Sequence, residues 1–142
     1  ALIQGVIDGA VDIITTDHAP HTATDKDKEI EQAAFGIIGL ETCFPLMFTK
    51  LVQTGMISWK RLIDLMANNP RQIFGLEQVK IQKGSRADLT LVNLSKEREV
   101  NEDVIFSKSK NTPFWGHHLK GFADLTFYRG NLVFGRTDGL IS

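Results

Sequence analysis

Between Val11 and Thr16 the chain reads Val-Asp-Ile-Ile-Thr-Thr, and it then breaks into Asp17-His18-Ala19-Pro20-His21. A short β-branched run of this kind suits a buried strand, and Pro20 with its polar neighbours stops it and opens a loop. In an α/β architecture with a parallel sheet, the loops at the C-terminal strand edge are where ligands bind. The chain that follows is helical in pattern and then strand-rich. With 142 residues it cannot close a (β/α)8 barrel, which takes roughly 250 residues and about 200 at the least.

The pattern after the loop gives the rest of the organisation. Thr22 to Gln32 is mostly charged or small, which predicts a solvated loop with room for a frayed helical turn. Gly36 and Gly39 interrupt an apolar stretch and mark a place where backbone comes close to something. A helix is expected from near Leu40, with Pro45 in its first turns and a stop at Gly55. Ser58 caps a second helix whose apolar face is Leu62, Ile63, Leu65 and Met66. Asn69-Pro70 caps a short third one that Gly75 closes. Val79 to Ile81 and Leu89 to Val92 read as strands around a Gln82–Ser85 turn. Phe122 to Tyr128 and Leu132 to Phe134 flank a three-residue hairpin loop, Arg129 to Asn131. Ser107 to Gly121 is irregular. A boundary near residue 78 separates 1–78 from a strand-rich 79–142.

Composition narrows the function classes. Hydrophobic residues at 42% and charged residues at 23% are those of a globular chain. A formal net charge of -1 offers no basic field for nucleic acid or anionic lipid, and no apolar run approaches the roughly 18–20 residues of a membrane span. One cysteine, Cys43, excludes an intrachain disulfide framework and fits a reducing, cytoplasmic compartment. It reads as a small core residue rather than a nucleophile. The start, Ala-Leu-Ile-Gln-Gly, has no basic-then-apolar leader, so no signal peptide is expected, and a longer parent chain is open.

Asp17 and His21, four apart at the strand edge, are the candidate chemistry. A carboxylate there can ligate a metal, act as a general base, or do both; an imidazole can ligate metal or donate to an anion. The spacing is equally compatible with a polar turn whose histidines are solvated. His18 takes a supporting or packing role, because strand alternation sends its side chain away from that of Asp17. His117-His118 read as solvated neighbours pointing apart, and Trp59 and Trp115 as packing residues.

The string Thr16-Asp17-His18-Ala19-Pro20-His21, followed by Ala34-Phe35-Gly36-Ile37-Ile38-Gly39-Leu40-Glu41, resembles the dihydroorotases of the zinc-dependent cyclic-amidohydrolase superfamily. Asn69-Pro70, Gly84 to Leu89 and Ser107 to Phe114 extend the likeness. Allantoinases and hydantoinases tend to keep the Asp-His pair and replace the second histidine, so His21 favours dihydroorotase. The resemblance implies an α/β fold, the C-terminal part of a metal-dependent (β/α)8 barrel followed by a small β-rich domain. It implies reversible hydrolysis of L-dihydroorotate to N-carbamoyl-L-aspartate, in pyrimidine synthesis. Asp17 takes the position of a zinc ligand that doubles as acid/base, His21 that of the substrate-carboxylate contact, and Phe35 and Gly36 those of main-chain contacts to the ring.

A catalytic zinc needs about three protein ligands, and the family's His-x-His pair does not occur here. The isolated chain is therefore expected to be inactive and without stoichiometric zinc. Stripped of barrel neighbours, it is also expected to self-associate. The competing readings are an allantoinase or hydantoinase, and a non-catalytic assembly subunit, for instance beside aspartate transcarbamoylase.

Overall fold

The computed structural model describes residues 1–136. Helix α1 (Leu2–Asp8) opens the chain and α2 (Ala23–Lys26) is one short turn. Helix α3 (Cys43–Met47) runs on into a π-helical turn at Phe48–Val52. Helix α4 (Trp59–Ile63) continues through a second π-helical turn, Asp64–Asn68, into α5 (Asn69–Ile73). Strands β1 (Leu89–Glu99), β2 (His118–Tyr128) and β3 (Asn131–Gly135) form one antiparallel sheet in the order β1-β2-β3.

Two apolar clusters hold these elements. The first joins Val6, Phe48, Leu51, Ile57, Leu62 and Leu65, with Val11 and Ile14 packed against it. The second joins Ile38 to Val100, Val104, Ile105, Leu119 and Phe122, with Leu46 and Phe114 at its margin. The sheet meets α3 and its π-helical turn through Gly121 (φ 93), where an added Cβ would lie 3.2 Å from Phe48 Cδ1 and 3.3 Å from Phe44 Cε1. Trp59 packs edge-on against Phe44 and Phe48, at ring-centroid distances of 5.9 and 5.6 Å.

The helix signals at Ser58, Gly55 and Gly75 hold. The Ser58 hydroxyl accepts from Arg61 N at 3.1 Å, and both glycines follow their helices with positive φ. Ser58→Ala should therefore cost about 1 kcal/mol of stability in a chemical-denaturation experiment. A change below a few tenths would mean that the cap is not holding α4.

Four expectations need correction. Val11 to Thr16 forms no strand. Its backbone groups are bonded to helices instead: Ile14 N donates to Leu65 O at 3.0 Å, Arg61 Nη2 to Val11 O at 2.7 Å, and Asn69 Nδ2 to Asp12 O at 2.8 Å. A lone extended run has no ladder, and among the described residues the three strands pair only with one another. Val79 to Ile81 is likewise no strand; Ile81 is 92% exposed and has no apolar surface to pack on. Asn69-Pro70 starts no separate helix. Asn69 N closes the π-helical turn on Asp64 O, and the chain runs straight on into α5 with Pro70 in its first turn, where its missing N–H is tolerated. The hairpin loop has two residues rather than three, with Tyr128 paired to Asn131 and both Arg129 (φ 50) and Gly130 (φ 83) in the positive-φ conformation a tight hairpin needs.

Candidate active site

The loop of residues 17–21 lies against the segment of residues 34–40. Ala19 N donates to Ile37 O at 2.9 Å. His18 Nδ1 accepts from Gly39 N at 3.0 Å and Leu40 N at 3.3 Å. Two backbone donors on Nδ1 leave the ring proton on Nε2, so His18 is a brace between the two segments. His21 Nε2 lies 2.7 Å from Phe35 O. A carbonyl only accepts, so Nε2 carries the proton and Nδ1 is the other polar edge of the ring.

Gly36 (φ 107) is the point of closest approach. An added Cβ there would sit 2.5 Å from Ala19 Cβ and 3.8 Å from His21 Nε2. Asn111 and Lys26 close the seam from either side. The Asn111 amide donates to Ala19 O at 2.9 Å and Gly36 O at 3.2 Å, and its Oδ1 accepts from His21 N at 3.3 Å. Lys26 Nζ donates to Ala34 O at 2.7 Å and Gly36 O at 3.1 Å.

Asp17 is exposed and adopts φ 44, a conformation that Asp and Asn tolerate better than most residues. No other described residue gives its carboxylate a hydrogen bond or an ion pair. Phe35 is 86% exposed, so it offers the seam its main chain and not a packed ring. The structure thus brings His21, Phe35 and Gly36 together, with Asp17 at the head of the same loop.

Beside the seam lies a cavity of about 520 Å³, lined by His21, Lys26, Lys108, Ser109, Lys110 and Asn111 among others. Its cationic lining suits an anion. A second cavity of about 530 Å³ between the helices and the sheet is lined by Phe44, Trp59, Met66, Phe122 and Phe134, and none of Asp17, His21, Phe35 or Gly36 reaches it. Asn111 and Lys26 were not marked as site residues by the sequence. Asn111 stands 92 positions beyond Ala19, in an irregular segment where no periodicity or spacing could connect them.

The remaining candidates sit elsewhere. His117 stacks edge-on against Phe114, while His118 Nδ1 lies 3.7 Å from Glu97 Oε1. Trp115 Nε1 donates to Lys110 O at 3.2 Å. Cys43 is partly buried, and burial pushes its thiol pKa up. It should therefore react slowly with iodoacetamide in the native protein at neutral pH and quickly once unfolded. Equal rates in the two states would show that the thiol is not shielded.

Among the described residues no group of three His, Cys, Asp or Glu side chains could hold a metal ion. The residues present do not amount to a zinc site. No helix among them is long and apolar enough to cross a membrane.

No protein-family model matches the chain. In sequence it is 48% identical over 133 residues to the dihydroorotase of Geobacillus sp. (strain WCH70), covering 94% of this chain and 31% of that protein. It is 47% identical over 134 residues to the dihydroorotase of Listeria welshimeri, covering 94% and 32%. The match to the dihydroorotase of Bacillus cytotoxicus is 43% over 141 residues, covering 99% and 33%. The chain therefore spans about a third of the length of these relatives.

In fold it superposes on the L-hydantoinase (dihydropyrimidinase) of Arthrobacter aurescens with a TM-score of 0.85 at 33% identity, covering 99% of this chain and 32% of that one. A D-hydantoinase from Thermus sp. gives a TM-score of 0.84 at 22% identity, covering 94% and 30%, a likeness of fold alone. In fold and in sequence the chain is thus similar to a portion of proteins named hydantoinase and dihydroorotase. More narrowly, its sequence is similar to the C-terminal portion of proteins named dihydroorotase.

Proposed function

We propose that these residues are the substrate-side portion of a dihydroorotase, which opens the cyclic amide of L-dihydroorotate to N-carbamoyl-L-aspartate and closes it again. In this reading residues 1–78 belong to a (β/α)8 barrel whose strand partners for Val11 to Thr16 lie outside this sequence. Residues 79–142 make up most of a strand-rich domain beside it. The observation that carries the reading is the seam itself: the loop bearing Asp17 and His21 is bonded to the Phe35–Gly36 segment in a sequence 43–48% identical to dihydroorotases.

The roles follow from chemistry. With Nε2–H held on Phe35 O, His21 meets the substrate carboxylate through its Nδ1 edge, which donates a charge-assisted hydrogen bond when the ring carries both protons. The main chain at Phe35 and Gly36 approaches the ring because no Cβ intervenes at Gly36. The lysine-lined cavity raises the local concentration of an acidic substrate. Asp17, with no hydrogen-bond partner among the described residues, moves the proton between the attacking oxygen and the leaving amide nitrogen. We also place Asp17 as one zinc ligand of the complete enzyme, the others being supplied from outside this sequence. The protein is expected in the cytoplasm. The exposed Leu2, Ile3, Phe74 and Ile81 give the separate chain surface for self-association, and an assembly with aspartate transcarbamoylase is compatible with the same reading.

Hydantoinase is the second reading, favoured by the fold neighbours. The test is a substrate panel on the full-length polypeptide. Dihydroorotate should be opened in clear preference to hydantoin and allantoin, while the separate 142-residue chain opens none of them. Preference for hydantoin or allantoin would overturn the dihydroorotase reading.

A further inference from the structure

We propose that Asn111 is a positioning residue of the substrate site, pinning the His21 loop to the Phe35–Gly36 segment so that both present themselves to the substrate in one geometry. The proposal rests on the dihydroorotase reading above. A side-chain amide has two N–H donors and a carbonyl acceptor, and Asn111 spends all three groups on this one seam. Its donors go to Ala19 O and Gly36 O, one on each segment, and its Oδ1 takes His21 N. Its own carbonyl then accepts from Ile38 N at 3.1 Å, continuing the tie along the second segment.

No aliphatic or acidic side chain can replace this set. An alanine leaves Ala19 O and His21 N without this partner and Gly36 O with Lys26 Nζ alone. An aspartate keeps the size but turns oxygen lone pairs toward two carbonyl oxygens. Asn111 touches neither the Asp17 carboxylate nor, in this reading, the reacting carbonyl. Its loss should therefore weaken binding and leave the chemical step nearly intact.

The test is steady-state kinetics of Asn111→Ala and Asn111→Asp in the full-length enzyme, after the wild type has been shown to open dihydroorotate. Each variant is expected to raise KM by about tenfold or more, from the lost hydrogen bonds. kcat should stay within about threefold, since the interactions lost are those of binding. An unchanged KM in either folded variant overturns the proposal, as does a fall in kcat with KM preserved. Failure of both variants to fold overturns it too, in favour of a purely structural role. A wild type inactive on dihydroorotate is a different outcome: it removes the functional reading, and this proposal with it.

Discussion

In the proposed dihydroorotase, Asp17→Asn is expected to lower kcat for ring opening by about a thousandfold, within the range that loss of a positioned acid/base produces. The substitution is chosen for its backbone. Asp17 adopts φ 44, and asparagine tolerates that region as well as aspartate does. The loop conformation should survive, and the loss then reports the carboxylate and not a rearranged main chain. Circular dichroism and melting temperature close to wild type, together with the collapse in kcat, complete the expected result. Retention of activity within tenfold would show that the proton is carried by another group.

Gly36→Ala is the second large effect, and it works through binding. At φ 107 an L-residue is strained, and the new Cβ would stand 2.5 Å from Ala19 Cβ, which pushes the two segments apart. If binding must draw the displaced segment back at a cost of about 1–3 kcal/mol, KM rises by roughly five- to 150-fold. Gly84→Ala separates strain from collision. Gly84 has φ 88 but nothing within 4 Å of its Cβ position, so it should lose stability while KM holds. A Gly36→Ala enzyme with wild-type KM would mean that the substrate does not sit against this strip.

Local signals were legible where local chemistry decides the outcome. Ser58 as a cap, Gly55 and Gly75 as stops, and the apolar runs of β2 and β3 each depend on neighbours within a few residues. Elements decided by distant partners were not. Val11 to Thr16 has strand composition, but with no strand among the described residues to pair with, it takes its hydrogen bonds from Arg61, Leu65 and Asn69. Helix α1 contains Gly5 in its interior and shows little helix propensity; burying Val6 in the first cluster is what favours it. β1 runs to Glu99, well past the expected Val92, because β2 gives it a partner along that length. Its irregular middle is held by Asn93 Oδ1, which accepts from Ser95 N and Lys96 N.

The same division runs through the site. Asp17, His21, Phe35 and Gly36 stood out because they lie in two short strings resembling known enzymes. Asn111 and Lys26 act on main-chain groups of those strings, and which main-chain groups a distant side chain meets leaves no trace in a sequence. His18 shows the middle case: its expected supporting role has a physical form, an imidazole accepting from Gly39 N and Leu40 N.

A structure of the full-length protein with dihydroorotate bound addresses the assignment of this seam more directly than any rate. The expected complex has the substrate carboxylate within hydrogen-bond reach of His21, the ring against the main chain of Phe35 and Gly36, and the Asp17 carboxylate facing the reacting carbonyl. A ligand seated elsewhere, with residues 17–21 and 34–38 bonded to each other and touching no part of it, would contradict the account.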